Sequence, residues 1–295
     1  MTRPRVGMVG LGIMGSAMAA NLVRGGFEVI GFDPLPACRT RHRKNGGLVA
    51  MSVAQVAGLT DIIVTSLPSA KVLASVAADI AAAENPRHLV IETSTLPIPV
   101  KEAARKQLLK SRATLLDCPL SGTGAQARTK DLVVYASGPR AAIRKCIAVF
   151  EGFARGHYDL GRFGNGSKMK FAANLLVAIH NISAAEAVIL ARKSGLNAAL
   201  AVKVLSDGAG SSRMLQVRGP MMAKRRYKDA TMKVEVWQKD MGIIADFVRG
   251  LGSPAPLFTA SRAIYDQAMQ SGLAKADTAA VCAVLEARAV PKRRR

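Results

Sequence analysis

Two stretches of this chain carry residue types at spacings suited to chemistry. The first is Gly10-Leu11-Gly12-Ile13-Met14-Gly15. In a Gly-x-Gly-x-x-Gly turn the first glycine permits the tight turn and the second lets the backbone approach a pyrophosphate. The third lets the following helix pack closely, and that helix offers its N-terminal N–H groups to the phosphates. Here the turn follows an apolar stretch at 6–9, opens a helical stretch at 15–24, and is followed by Asp33 at the end of the next apolar stretch, 28–32. That context makes residues 10–15 a dinucleotide site rather than an ordinary glycine-rich turn. Asp33 is placed to accept hydrogen bonds from the ribose hydroxyls, which favours NAD over NADP. Arg39, Arg41, Arg43 and Lys44 compete with that reading, either as partners for a 2′-phosphate or as a solvated helix face.

The second stretch is Lys170-x-x-x-Asn174, in which both residues project from one face of a helix. A lysine in a mostly apolar helix is costly unless paired or exposed. Burial and neighbouring cations bring its pKa toward neutrality, as a general acid/base requires. On spacing alone Lys170 is either such a group or a lysine that snorkels to solvent. Ser121-Gly122-Thr123 forms a polar turn whose N–H groups and two hydroxyls suit a small carboxylate, or an ordinary loop.

The elements that must position these residues follow from the hydrophobic pattern. Apolar runs at 6–9, 28–32, 61–67, 89–92, 115–116 and 132–136 read as strands, with helical stretches such as 15–24, 70–83 and 99–110 between them. Alternation of this kind implies parallel pairing in a doubly wound α/β sheet, a Rossmann domain. From Ser167 the pattern is helical, with one long helix over 167–194, Ser167 as its N-cap and Gly195 as its stop. Later helices are punctuated at Gly208, Gly210, Gly219-Pro220 and Gly252-Ser-Pro254. The chain of 295 residues thus divides into a dinucleotide-binding domain, 1–163, and an all-α domain, 164–295.

Composition narrows the class. Nearly half the residues are hydrophobic, and 42 basic against 20 acidic residues leave a net charge of +22. Such a field draws anionic ligands and could hold nucleic acid loosely, but aromatics make up only 4%, too few for base-stacking platforms. Cys38, Cys118, Cys146 and Cys282 lie far apart, as do the four histidines, so neither a metal site nor a disulfide framework is expected, and a reducing cytoplasm fits. The N-terminal segment mimics a secretory signal, but three glycines at fingerprint spacing lie inside it. The apolar stretch 172–190 is interrupted by Asn174, His180, Asn181 and Glu186, and reads as a core helix rather than a membrane span. The terminal Pro-Lys-Arg-Arg-Arg reads as a solvated tail.

Taken in order, the motifs resemble the 3-hydroxyisobutyrate dehydrogenase family of β-hydroxyacid dehydrogenases, related to 6-phosphogluconate dehydrogenase. The opening from Val9 to Gly15 continues into Met18-Ala-Ala-Asn-Leu22. Leu67-Pro68 ends the strand before a cofactor loop. Glu92-Thr-Ser-Thr95 matches an Asp-x-Ser-Thr turn with Glu in place of Asp, and Asp117-Cys-Pro-Leu-Ser-Gly-Thr123 matches the substrate loop. Gly164-Asn-Gly166 with Lys170 and Asn174 matches the catalytic segment, and Lys239-Asp240 a later Lys-Asp pair. The resemblance covers nearly the whole chain. It implies reversible hydride transfer between a nicotinamide cofactor, NAD with NADP possible, and a small 3-hydroxy acid. It implies Lys170 as general acid/base and Ser121, Gly122, Thr123, Asn174 and Lys239 as substrate contacts. Lys239, Leu67, Pro68 and Thr95 would also border the nicotinamide. It further implies a homo-oligomer, dimer or tetramer, formed by the helical domains. Thr123, Gln126 and Lys130 stand where the family has glycines, which puts the identity of the acid in doubt. Two rivals, a non-catalytic nucleic-acid-binding relative and an imine reductase, are both opposed by the presence of Lys170.

Overall fold

The computed structural model describes residues 4–83 and 87–288. The first residues of the signal-like segment and the basic C-terminal tail lie outside the described residues. Two compact units divide at Lys170/Phe171.

The first unit contains β1 (Val6–Val9), α1 (Ile13–Arg24), β2 (Val29–Phe32), α2 (Pro36–Lys44), β3 (Leu48–Val49), α3 (Val53–Leu59), β4 (Ile62–Thr65), α4 (Ala70–Ala81), β5 (Leu89–Glu92), α5 (Ile98–Lys110) and β6 (Thr114–Asp117). These strands form one sheet in the order β3-β2-β1-β4-β5-β6, every pair parallel. This is a doubly wound Rossmann sheet, with its reversal between β1 and β4. Strands β1, β2, β4, β5 and β6 bury both faces, as a parallel sheet covered by helices must, whereas Leu48 of the edge strand β3 is exposed. Val6 and Met8 of β1 and Val64 of β4 pack with α1 on one side, whereas Val9 and Ile63 pack with α3 and α4 on the other.

The chain continues through β7 (Leu120–Ser121), α6 (Gly124–Arg128), β8 (Val133–Ala136), α7 (Arg140–Phe153) and β9 (Gly156–Asp159). The strand expected at 132–136 therefore does not extend the main sheet. It centres a separate sheet, β7-β8-β9, with an antiparallel β7–β8 pair. An isolated antiparallel bridge between Asp117, at the end of β6, and Ser137, just after β8, is what joins it to the main sheet.

The helix α8 (Asn165–Lys193) starts two residues before Ser167, so Ser167 is not its N-cap but lies inside the first turn. Gly195, at φ +88°, follows its end. The division between units falls inside this helix.

The second unit adds α9 (Ala198–Asp207), α10 (Arg213–Lys224), α11 (Val234–Gly250), α12 (Pro256–Gln270) and α13 (Val281–Arg288). Gly219-Pro220 does not punctuate: Pro220 sits within α10, where it removes one backbone donor without ending the helix. By length and composition α8 could cross a membrane. Within the second unit, however, its Asn174 and Asn181 are buried and donate to Asp240 and to the Tyr265 hydroxyl. Arg218 and Asp277 form a buried ion pair at 3.1 Å. Asp277 also accepts N–H bonds from Thr231, Met232 and Ala279.

Candidate active site

In a doubly wound sheet, ligands bind beyond the carboxyl ends of the strands where the strand order reverses. Gly10, at φ +91°, leaves β1 at that point, and Ser66 donates its N–H to Val9 just after β4. The three glycines of the turn differ in what surrounds them. A Cβ at Gly10 would lie 2.2 Å from the Ser66 carbonyl oxygen, and one at Gly15 would lie 1.9 Å from that of Gly10. A Cβ at Gly12 would meet nothing within 4 Å. Two glycines are thus demanded by the fold, and the middle one leaves a backbone surface open at the N-terminus of α1. No side chain caps that helix end. An open backbone cradle at an uncapped helix N-terminus fits a dinucleotide pyrophosphate.

Asp33 braces the cradle. It is buried; its Oδ2 accepts from Leu11 N at 2.8 Å and its Oδ1 from Leu35 N at 2.9 Å. Arg39 donates to the Asp33 and Pro34 carbonyls, and Arg41 to the Leu11 carbonyl and the Ser16 hydroxyl. Arg41 is therefore engaged with the glycine turn, and Arg39 with the backbone just after β2. Leu11 is fully buried, Met14 packs against the core, and Ile13 is exposed at the start of α1.

The ends of β4, β5 and β6 carry the next layer. Thr65, Glu92 and Asp117 are register partners on the last rung. The buried Leu67 N–H donates to Ser94 Oγ at 2.8 Å, while Pro68 is exposed and Thr95 half-buried. Lys101 of α5 is completely buried; its Nζ stands 2.6 Å from Glu92 Oε2 and donates to Asp117 Oδ1 at 2.8 Å. Burial works against its charge, but the two carboxylates outweigh that penalty and raise its pKa above the ordinary lysine value. Asp117 also accepts from Ser167 N and Ser167 Oγ, each at 2.8 Å. Gly166 admits this approach, since a Cβ there would lie 2.6 Å from the Asp117 carbonyl oxygen. The first turn of α8, two residues before Lys170, is thus tied to the end of β6. Lys170 itself is half-buried.

The comparisons with known proteins agree along the chain. The family model described as the NAD binding domain of 6-phosphogluconate dehydrogenase matches residues 5–163. That described as NAD-binding of NADP-dependent 3-hydroxyisobutyrate dehydrogenase matches residues 164–285. An L-threonate dehydrogenase of Cupriavidus necator is 32% identical over 280 residues, 94% of each chain. The chain belongs to the 3-hydroxyisobutyrate dehydrogenase-like family of β-hydroxyacid dehydrogenases.

Like the family, this dehydrogenase is an NAD(P)-dependent oxidoreductase acting on CH–OH donors. A probable 3-hydroxyisobutyrate dehydrogenase of Mycobacterium bovis is 31% identical over 96% of this chain and 98% of its own. The solved structure of a Mycobacterium tuberculosis 3-hydroxyisobutyrate dehydrogenase with L-serine superposes with a TM-score of 0.86 at 28% identity. It covers 96% of this chain and 99% of that one.

The substrate-loop residues of the dehydrogenase behave unequally. Ser121 and Gly122 are half-buried. Thr123, whose N–H and hydroxyl had been expected to be free, instead caps α6: its N–H donates to Gln126 Oε1 at 3.0 Å and its hydroxyl accepts from Gln126 N. The pair Thr123 and Gln126 is a capping box, legible in the sequence as Thr-x-x-Gln. In the second unit Asn174 donates to Asp240 Oδ2 at 3.0 Å, and the exposed Lys239 lies 3.7 Å from Asp240 Oδ1. Lys101 went unremarked in the sequence, because a lysine in the polar helix Lys101-Glu-Ala-Ala-Arg-Lys carries no mark of burial.

Proposed function

We propose that this protein oxidises a small 3-hydroxy acid to the corresponding semialdehyde or keto acid, and runs the reverse reduction, with Lys170 as general acid/base. The observation that carries the reading is the anchoring of the start of the Lys170-bearing helix, through Ser167, to the strand end that leads into the substrate loop. A bound nicotinamide supplies the hydride acceptor in oxidation and the donor in reduction. In oxidation neutral Lys170 takes the hydroxyl proton as the carbinol hydride leaves; in reduction the ammonium returns it to the developing alkoxide.

Ser121 and Gly122 hold the substrate carboxylate, and Thr123 fixes their loop by capping α6. Leu67, Pro68 and Thr95 border the nicotinamide, and Asn174 and Lys239 complete the substrate contacts. Gly10, Leu11, Gly12, Ile13, Met14 and Gly15 receive the dinucleotide. NAD is the preferred form, supported by Asp33 at the end of β2 and by the engagement of Arg39 and Arg41 with backbone carbonyls. The four cysteines are free and buried, which supports a cytoplasmic setting. The protein acts as a homo-oligomer without nucleic acid.

The test is turnover of 3-hydroxyisobutyrate, L-threonate and L-serine with NAD⁺ and NADP⁺, in the wild type and in Lys170→Ala. The variant should bind NADH normally and lose turnover by more than about 100-fold, the scale of general acid/base catalysis. Turnover by Lys170→Ala at the wild-type rate would refute the assignment.

A further inference from the structure

The geometry points to Lys101 as a positioning residue: one buried ammonium that holds the cofactor loop, the substrate loop and the start of the Lys170-bearing helix in mutual register. The inference rests on the general acid/base reading of Lys170 only for what the register is for, not for its existence.

Glu92 and Asp117 are neighbours on the last rung of adjacent parallel strands, and both are completely buried. Two carboxylates in that relation repel each other at close range in a poorly screened interior. Lys101 stands between them, and the three groups together carry a net charge of minus one. Each carboxylate then directs a different segment. Glu92 Oε1 accepts from Ser94 N at 2.9 Å, and Ser94 Oγ accepts from Leu67 N, which fixes the two loops assigned to the nicotinamide. The Glu92 carbonyl accepts from Cys118 N at 2.8 Å at the start of the substrate loop. Asp117 receives Ser167 N and Oγ, and the Ser137 hydroxyl lies 3.3 Å from its Oδ2. A carboxylate facing the N-terminal turn of α8 also complements the helix dipole, so the residual negative charge has a counterpart.

The thiol of Cys118, next to Asp117, interacts with Asp117 and Lys101, and Cys146 of α7 lies beside Cys118. Burial raises both, Cys146 to about 12, so they stay neutral and leave Lys101 as the counter-ion. An ammonium is suited to this task because it presents three donors from one point, and the carboxylates approach it from two strands.

A filler of space and a counter-ion respond differently to substitution. In Lys101→Met the site keeps a side chain of similar length but holds charge minus two. The second substitution in Glu92→Gln/Lys101→Met restores minus one. Displacement of the loops by about 1 Å would lower kcat by roughly 10- to 100-fold. The NADH Kd should change less than kcat, because among the described residues the triad's hydrogen bonds run to Ser94, Cys118, Ser137 and Ser167, outside the pyrophosphate turn 10–15.

The experiment measures kcat, NADH Kd and hydrogen–deuterium exchange over 92–96, 118–123 and 164–170 in wild type, K101M, E92Q/K101M and K170A. For K101M we expect faster exchange in those three segments and a kcat roughly 10- to 100-fold below wild type. For E92Q/K101M we expect exchange and kcat near wild type. Wild-type exchange and kcat in K101M, or a defect that E92Q/K101M does not repair, would overturn the inference. If K101M does not fold, the double variant decides: a folded, active protein upholds the counter-ion role, and an unfolded or inactive one refutes it. K170A separates the two readings, since an active K170A removes the acid/base assignment while the exchange data still judge Lys101.

Discussion

The three fingerprint glycines should separate experimentally into one that serves the cofactor and two that serve the fold, and the contrast between Gly12→Ala and Gly15→Ala exposes the difference. At position 12 a Cβ meets nothing within 4 Å and φ is −64°, a value open to alanine. Exchanging glycine for alanine at a helix N-cap costs about 0.5–1 kcal/mol of capping, and restriction of the unfolded chain returns about 0.4–1 kcal/mol. The folded protein should therefore melt near the wild-type temperature. The added methyl stands where the backbone would meet the pyrophosphate. Loss of one hydrogen bond to a charged group, about 1.5–3 kcal/mol, weakens NADH binding by roughly 10- to 150-fold. At position 15 the Cβ falls 1.9 Å from the Gly10 carbonyl oxygen and 2.9 Å from its carbon, both rigid backbone atoms. Relief requires α1 to move off the turn, an overpacking cost of about 1–3 kcal/mol or more.

Thermal melts with NADH titrations by fluorescence or calorimetry read both effects. Gly12→Ala should keep its melting temperature and lose affinity, while Gly15→Ala should lose both. A Gly12→Ala protein that binds NADH as tightly as wild type, or melts as low as Gly15→Ala, would refute the reasoning.

Two further perturbations test the buried polar groups. Asp277→Asn leaves Arg218 buried without its counter-ion and should cost about 3–5 kcal/mol, seen as a lower melting transition for the helical unit. Burial alone would raise the Asp277 pKa, but Arg218 and three backbone N–H groups hold it below the usual carboxylate range. Its stabilisation is therefore present above about pH 4 and is lost as the pH falls through the lowered value, so the variant should show a shallower acid limb. His42 lies against Gly31 and Gly47, where added Cβ atoms would come within 2.6 Å and 2.1 Å of its ring, and burial lowers its pKa despite its contact with the Val29 carbonyl. The unfolded chain takes up that proton first, so stability is full above about pH 6.5 and declines as the pH falls toward the lowered value. His42→Gln should flatten that decline in melts between about pH 6.5 and 5, and an unchanged slope would exclude His42 as its source.

What the sequence reveals about this molecule depends on whether the physical demand is local. The fingerprint was legible because a backbone that must pass within contact distance of itself or of a phosphate tolerates only glycine. The strands at 6–9 and 89–92 were legible because burial on both faces leaves unbroken apolar runs. The start of α8 was misplaced for an instructive reason: Ser167 has the type of an N-cap, but its hydroxyl and N–H are taken by Asp117, 50 residues away. Strand 133–136 was recognised but not its sheet, since a run of four apolar residues does not name its partner. Thr123 has the type of a ligand group, but its N–H and hydroxyl pair with Gln126 in a capping box, so the substitution of glycine at 126 and the engagement of Thr123 go together.

Lys101 was the largest omission, and it shows where reading by residue type fails. Its sequence neighbours Glu102, Arg105 and Lys106 describe a solvated helix, in which lysine is ordinary. Its burial follows from a fact about other strands, namely that Glu92 and Asp117 end β5 and β6 on the same rung. A pair of carboxylates so placed requires a cation, and α5, which begins six residues after Glu92, is the element able to supply one from below the strand ends. The replacement of the family's Asp by Glu92 was visible in the sequence as a departure. In this chain the Glu92 side chain reaches the Lys101 ammonium at 2.6 Å, a counter-ion whose presence no spacing rule could announce.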